Sequence, residues 1–504
     1  MANLHVPDFP LPELVEAYER SATQNVLAAL NDDIFPGYWS VCADGIGHGH
    51  GHTFPSLDGH QMTDALLRLG RVETTLLNWD YVRSFQQLSG ELPIAIFPGE
   101  GGLVIGPPGA QARVEDNGAL YDHWAPGNPL RALAAPTYIE NADAIFRMTH
   151  DRAWLASDLP SANRAAEHLT TFTSPDGFVA GAGYYVERPG RLAWDGVAQC
   201  MAADALQRLV GLNRLMGDEA AAARWDALAG RIVENFRSRY WVGDHFAEYI
   251  HPVHGVVANH GLTDTDWAAI ATGAASAEQE AILWPQLRDE RAFYYGGMPT
   301  GIATKPETYK SWELLLGMDR HDLAAMGRVW YLECRARARM GDAEGIVETL
   351  RRVAAVGKAS GWYWRERYYD DGHGGLRAAG PNTYCEYPAN LIRIVQRFLL
   401  GVEFALDGAL EIAPTVPESF WRAGFGATHE FCGRTLAWRM DRRGLTGEYH
   451  GDGPQRLVLQ VAPEADPAAA RATVNGRALP CAVMDGRVSV ELPAGECRFV
   501  IAAG

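Results

Sequence analysis

Cysteine is scarce and unpaired in this sequence. Seven residues in 504 are dispersed, odd in number and free of any C-x-x-C pair. That pattern excludes a zinc ribbon and a disulfide framework, so the thiols are expected to be reduced. Basic charge is also short. Forty-four Lys and Arg stand against 62 Asp and Glu, a formal net charge of −18. So acidic a chain is a poor partner for nucleic acid or anionic membranes, both of which need basic patches. No uninterrupted apolar run approaches the roughly 18 residues of a membrane helix. The start, MANLHVPDFPLPELVEAYERS, has neither the basic nor the apolar region of a secretory leader. The expectation is a cytoplasmic protein acting on a small neutral ligand such as a carbohydrate; a homo-oligomer is compatible with it.

Aromatic residues are plentiful: 15 Trp, 19 Tyr and 17 Phe. Several fall in Gly- and Pro-rich stretches, FPGYWS, YDHWAPG, FYYGGMP and GWYWRERYYDDGHGG. There flat apolar faces can meet the C–H faces of sugar rings. From residue 11 to about 400 the apolar spacing is helical, in LPELVEAYERSATQNVLAALN, AADALQRLVGLNRLMG, RWDALAGRIVENFRSRYW and others like them. Short turns join many of these segments in pairs. In LNRLMGDEAAAARWDAL one helix ends at Gly217 and Asp218 caps the next. Paired helices separated by longer aromatic loops predict helical hairpins in a ring, with the more apolar helices inside and the long loops gathered on one face. After residue 402 the pattern changes to short alternating segments, LAWRM, RLVLQV, ATVNG and RVSVEL, which predict a small antiparallel sandwich. The predicted domains are 1–401 and 402–504.

Four stretches carry a resemblance to a known group. They are SLDGHQMTDALLRLGRVETTLLNWDYVRSFQQLSGELPIAIFP, NPLRALAAPTYIENADAIFRMTHDRAWLASDLPSANRAAEHL, WDGVAQCMAADALQRLVGLNRLMGDEAAAARWDALAGRIVENF and WYWRERYYDDGHGGLRAAGPNTYCEYPANLIRIVQ. In order and type, over about residues 35–400, they resemble the six-hairpin glycosidases: trehalases, glycoside hydrolase family 63 and α-L-rhamnosidases. The resemblance implies a mainly α fold, an (α/α)6 toroid, followed by a sheet domain similar to that of the rhamnosidases. It also implies an exo-acting, inverting glycosidase that needs no cofactor.

Glycosidic cleavage needs a carboxylic acid to protonate the leaving oxygen and a second carboxylate to activate water. Glu366, among Trp362, Trp364, Tyr368 and Tyr369 and flanked by Arg365 and Arg367, matches the family's general base. The resemblance places the acid in SPDGFVAGAGYYVERPGRLAWDG, where Glu187, Asp195 and Asp176 are the candidates. Glu187 follows two tyrosines, a setting that raises an acid's pKa. Asp195 also suits a helix cap, and Asp176 suits a P-D-G turn. Asp58 matches the early Asp that binds sugar hydroxyls, and it suits a helix cap as well.

His48, His50 and His52 alternate in DGIGHGHGHTFPSLDGHQM and look like a metal cluster. Metal hydrolases with H-x-H carry it at the end of an apolar strand, whereas the chain here continues into a helical pattern. No metal is expected, and His50, His52 and His60 are taken as partners for hydroxyls around Asp58. Trp39, Tyr121, His123, Trp124, Trp267, Tyr295 and Trp364 are the expected ring contacts. Two other classes remain open: a sugar epimerase on the same barrel, and a non-catalytic carbohydrate-binding protein.

Overall fold

The computed structural model describes residues 4–47, 52–56, 58–105, 111–122, 130–180, 194–289, 291–301, 305–313 and 324–502. Among them, twelve α-helices precede residue 400: α1 Pro12–Arg20, α2 Gly59–Arg68, α3 Val72–Ser84, α4 Leu130–Thr149, α5 Arg152–Thr170, α6 Gly196–Met216, α7 Glu219–Arg239, α8 Asp264–Thr272, α9 Ala277–Asp289, α10 Gly327–Arg339, α11 Ala343–Ala359 and α12 Glu386–Ile394. Helices α1 and α12 each run on into a short π-helical segment, Ser21–Val26 and Val395–Leu399.

The even-numbered helices pack one on the next, α2 on α4, α4 on α6, and so on to α12, which packs back on α2 and closes a ring. The odd-numbered helices lie against its outside. Burial follows this division. All nine residues of α12 are buried, and α2 leaves only Arg68 partly accessible, whereas α7 buries six of its 21. Helices α2, α4, α6, α8 and α10 each pass to the next odd helix by a short turn. The turn at 217–218 is built as expected, with Gly217 left-handed at φ +81° and Asp218 accepting from Ala221 N–H at 3.0 Å. The turn at 150–151 instead puts His150 at φ +53°.

The inner helices nevertheless bury charged residues. Helix α10 buries Arg328, Glu333 and Arg337, α12 buries Glu386 and Arg393, and α4 buries Glu140 and Asp143. These charges are tolerated because most meet a partner. Arg335 grips Asp204 with two bonds of 2.9 and 3.0 Å, and Arg208 reaches Asp143 at 2.8 Å.

From Val402 the chain forms strands in two sheets. One orders Val402–Phe404, Leu410–Ile412, Gln455–Leu459, Arg487–Leu492 and Ala482–Met484. The other orders Phe425–Phe431, Arg434–Asp441, Gly444–Gly451, Gly495–Ala502, Arg471–Val474 and Arg477–Leu479. The expected all-antiparallel pairing needs one correction. Leu410–Ile412 and Gln455–Leu459 pair in parallel, because the chain crosses to the second sheet and back between them. One continuous apolar core runs through both sheets and the helical ring. Among the described residues no helix is long and apolar enough to cross a membrane.

Candidate active site

Chain direction decides where chemistry can gather. The turns that leave the even helices are short, and the segments that enter them are long: 27–58, 85–129, 171–195, 240–263, 290–326 and 360–385. Helical hairpins reverse direction, so the inner helices run parallel and every long segment arrives at their N-terminal end. That end is the mouth of the ring, and Asp58, Asp195 and Glu366 all belong to it.

Asp58 directly precedes α2, yet its side chain makes no capping bond to that helix. It is 2% exposed and accepts from Gln61 Nε2 at 2.5 Å and from Tyr384 Oη at 3.1 Å. Burial pushes its pKa up to about 6; the nearby Arg328 cation opposes the rise and the Glu386 charge adds to it. Arg328, on α10, binds Glu386 at the start of α12 through Nε at 3.0 Å, through its guanidinium end and through its backbone N–H at 2.5 Å. Tyr384, bonded to Asp58, also feels the charge of Glu366. Burial raises its phenol far above the ordinary value, and the charges of Asp58 and Glu366 raise it further.

Glu366 stands just before the strand Arg367–Asp370, with its side chain 17% exposed. Arg367 Nη1 donates to it at 2.8 Å. Arg365 turns away, to Asn382 and to the Gly380 carbonyl at 2.5 Å. Gly380, at φ +76°, lies so close that a methyl group there would sit 2.3 Å from Glu366 Oε2.

Across the ring, Asp195 is fully buried and caps α6, accepting from Ala198 N–H at 3.0 Å. Its strand residues Trp194 and Asp195 pair with Ile250 and Tyr249. A second carboxylate cluster begins there. His260 is fully buried between Glu248, on Nδ1, and Glu313, on Nε2 at 3.1 Å, and Tyr309 stacks on its ring at 3.6 Å. Burial works against a charge on His260, but the bonds to Glu248 and Glu313 outweigh it and raise the pKa. Tyr309 Oη donates to Glu248 at 2.6 Å, and Tyr249 Oη donates to Glu313.

No protein-family model matches the chain, and no curated protein matches it significantly. Solved structures do. An α-L-rhamnosidase from Dictyoglumus thermophilum superposes with a TM-score of 0.63 at 11% identity, over 99% of this chain and 50% of that one. A structure described as a sialidase gives 0.65 at 14%, over 97% and 41%. A family 63 mannosylglycerate hydrolase from Thermus thermophilus, in complex with glucose, gives 0.53 at 12%, over 76% and 99%. The resemblance to the six-hairpin glycosidases holds as a likeness of fold. The chain spans about half the length of the rhamnosidase it matches.

Several expected sugar contacts prove to be packing residues. Trp39, Trp267 and Trp364 are each at most 1% exposed. Trp267 lies on α8 beneath Arg337 and edge-on to Phe293, and Trp364 donates to the Val353 carbonyl at 3.1 Å. None offers an exposed face to a ligand. Tyr295 is buried against Gly301, and half-buried Tyr121 donates to the Phe85 carbonyl at 2.6 Å. His52 is buried between Phe54 and Phe97. His60 bonds Asn141 at 3.0 Å, and burial drives its pKa well down. Asp176 sits exposed in the turn before Phe178, the structural role its motif suggested. Glu187, His48, His50, His123 and Trp124 lie outside the described residues. Among the described residues no group of three His, Cys, Asp or Glu side chains could hold a metal ion. Sequence reasoning passed over Arg328, Tyr384 and Glu386. The last two stand in PNTYCEYPAN, inside a stretch already singled out, but nothing local shows that Tyr384 reaches Asp58.

Proposed function

We propose that the protein is an exo-acting glycoside hydrolase on an (α/α)6 toroid, acting on a small oligosaccharide or glycoside with inversion. One observation carries the proposal. Three carboxylates from distant parts of the chain, Asp58, Asp195 and Glu366, belong to the mouth of a closed helical ring, and the solved structures of this fold include glycosidases.

Glu366 is the general base. Partial exposure lets it reach water, and the bond from Arg367 Nη1 at 2.8 Å orients it. Asp58 is the hydroxyl ligand, fixed by Gln61 and Tyr384. Asp195 is the acid supported by its place at the start of an inner helix; Glu187 is the alternative. Inversion requires the acid and base carboxyls about 6.5–9.5 Å apart, with water on the far face of the sugar.

A panel of nitrophenyl glycosides and small oligosaccharides, with proton NMR of the first-formed anomer, tests the reaction. Glu366→Gln is expected to lower kcat by at least about 10²-fold; unchanged turnover removes the assignment. Asp195→Asn and Glu187→Gln separate the acids. Loss of the true acid slows natural substrates far more than dinitrophenyl glycosides, whose leaving group needs no proton. A retained anomer overturns the inverting mechanism.

A further inference from the structure

Far from the mouth, the α4–α5 turn meets the sheets and leaves a polar cleft of about 320 Å³. Helix α4 has 20 residues, so the cleft lies roughly 30 Å along it from the mouth. In a chain of net charge −18 its lining carries three guanidiniums, Arg147, Arg434 and Arg456, and the His150 imidazole, against Asp407 and Glu491. Two of the guanidiniums are engaged. Arg147 binds Asp143 at 2.8 Å and the Phe404 carbonyl at 3.1 Å, and Arg456 binds Asp407.

Arg434 is different. It donates to Gln455 at 2.7 Å, and no carboxylate among the described residues lies within ion-pair distance of it. Two further groups are left unused. His150 Nε2 and Arg456 Nε are buried without hydrogen-bond partners. An orphaned buried polar atom is costly, so a ligand that reaches and satisfies it gains affinity. The walls are held in place, since Cys432 Sγ bonds the Met148 carbonyl at 3.0 Å and Arg147 ties α4 to the strand Val402–Phe404.

We propose that this cleft binds a phosphate group, free or carried on a small sugar. A tetrahedral dianion matches an unpaired guanidinium flanked by an imidazole and a second guanidinium, and the volume suits a hexose phosphate. The site is separate from the mouth and does not depend on the reaction assigned there.

Calorimetric titration of inorganic phosphate and of glucose 6-phosphate into the full chain, each to about 10 mM in about 150 mM chloride, tests this. At least one probe is expected to bind saturably. Arg434→Gln and His150→Asn should each weaken binding at least about tenfold, and Glu366→Gln should leave it unchanged. Asparagine suits the left-handed backbone at 150, so that variant keeps the turn. Equal binding of both probes identifies the free ion as sufficient, and preference for the ester identifies a sugar phosphate. Absence of saturation by both probes overturns the proposal, as does binding that survives both substitutions or is lost in Glu366→Gln. The wild-type titration decides the first criterion even if a variant fails to fold.

Discussion

Replacing Asp58 by Asn isolates the electrostatic strain at the mouth of the ring. Burial lifts the Asp58 carboxyl from the ordinary 3.8 to about 6. Its folded pKa is therefore raised, so its favourable contribution is fully present below pH 3.8 and is lost as pH rises through 6. At 1.36 kcal/mol per pH unit the ionised group costs the fold about 3 kcal/mol at neutral pH. Asparagine is close in shape, keeps an acceptor for Tyr384 and never ionises. Its weaker bond to Gln61 changes stability by about 1 kcal/mol, with no pH dependence. Urea unfolding of both proteins at pH 4, 5, 6 and 7.5 is the assay. Relative to wild type, Asp58→Asn should gain about 2.4 kcal/mol between pH 4 and 7.5, most of it between 4 and 6. Glu140 and Asp266, both raised to about 7, titrate in both proteins and cancel in the difference. A difference that stays flat within about 0.5 kcal/mol across the range refutes the reasoning. Sugar affinity should fall in the same variant, which separates a hydroxyl ligand from a purely structural acid.

Two further changes probe the surroundings of the site. Gly380→Ala adds a methyl 2.3 Å from Glu366 Oε2 at a backbone φ of +76°, so it should move the carboxylate. We expect kcat to fall about 10²-fold with a loss of stability of only about 1–2 kcal/mol, read by kinetics beside thermal unfolding; normal kcat would mean that Glu366 is not the base. Truncation after residue 401 removes Glu403 from Arg68 and Arg397 and opens the shared apolar core. The fragment should be insoluble or lack a cooperative unfolding transition, and a soluble, active fragment would show that 1–401 and 402–504 are independent domains.

What could be read in the sequence was local. Gly217 followed by Asp218 specifies a helix end and a helix start through backbone geometry alone, and both form as written. The helical period from residue 11 onward likewise needs no distant partner. The inner-ring charges were not legible for the opposite reason. GRVWYLECRARAR reads as a solvated face, yet Arg328 meets Glu386, 58 residues on, and Arg335 meets Asp204, 131 residues back. A charge buried by a partner so remote carries the same local pattern as one that faces water. The tryptophans misled in the converse way. The glycines around Trp364 mark a loop correctly, but Trp364 itself is buried and covered by its neighbours.

The same long-range pairing explains how a polar axis supports a precise mouth. Asp58 accepts from Gln61, whose Oε1 takes Asn390 Nδ2 at 2.9 Å; Arg393 Nη1 donates to Asn390 at 2.7 Å, and Arg393 Nε donates to Asp64 at 2.8 Å. Arg397 continues the chain from Asp64 at 3.1 Å to Glu403 at 2.7 Å, in the first strand of the sheets. Gln61 and Asn390 each donate to one neighbour and accept from the next, the arginines donate to both sides and Asp64 accepts from both, so rotating any one of them leaves a buried group unpaired. An apolar axis would pack as densely, but it would hold Asp58 by shape alone. The hydrogen-bonded axis fixes the direction of the carboxylate oxygens, and the role proposed for Asp58 toward sugar hydroxyls depends on that direction.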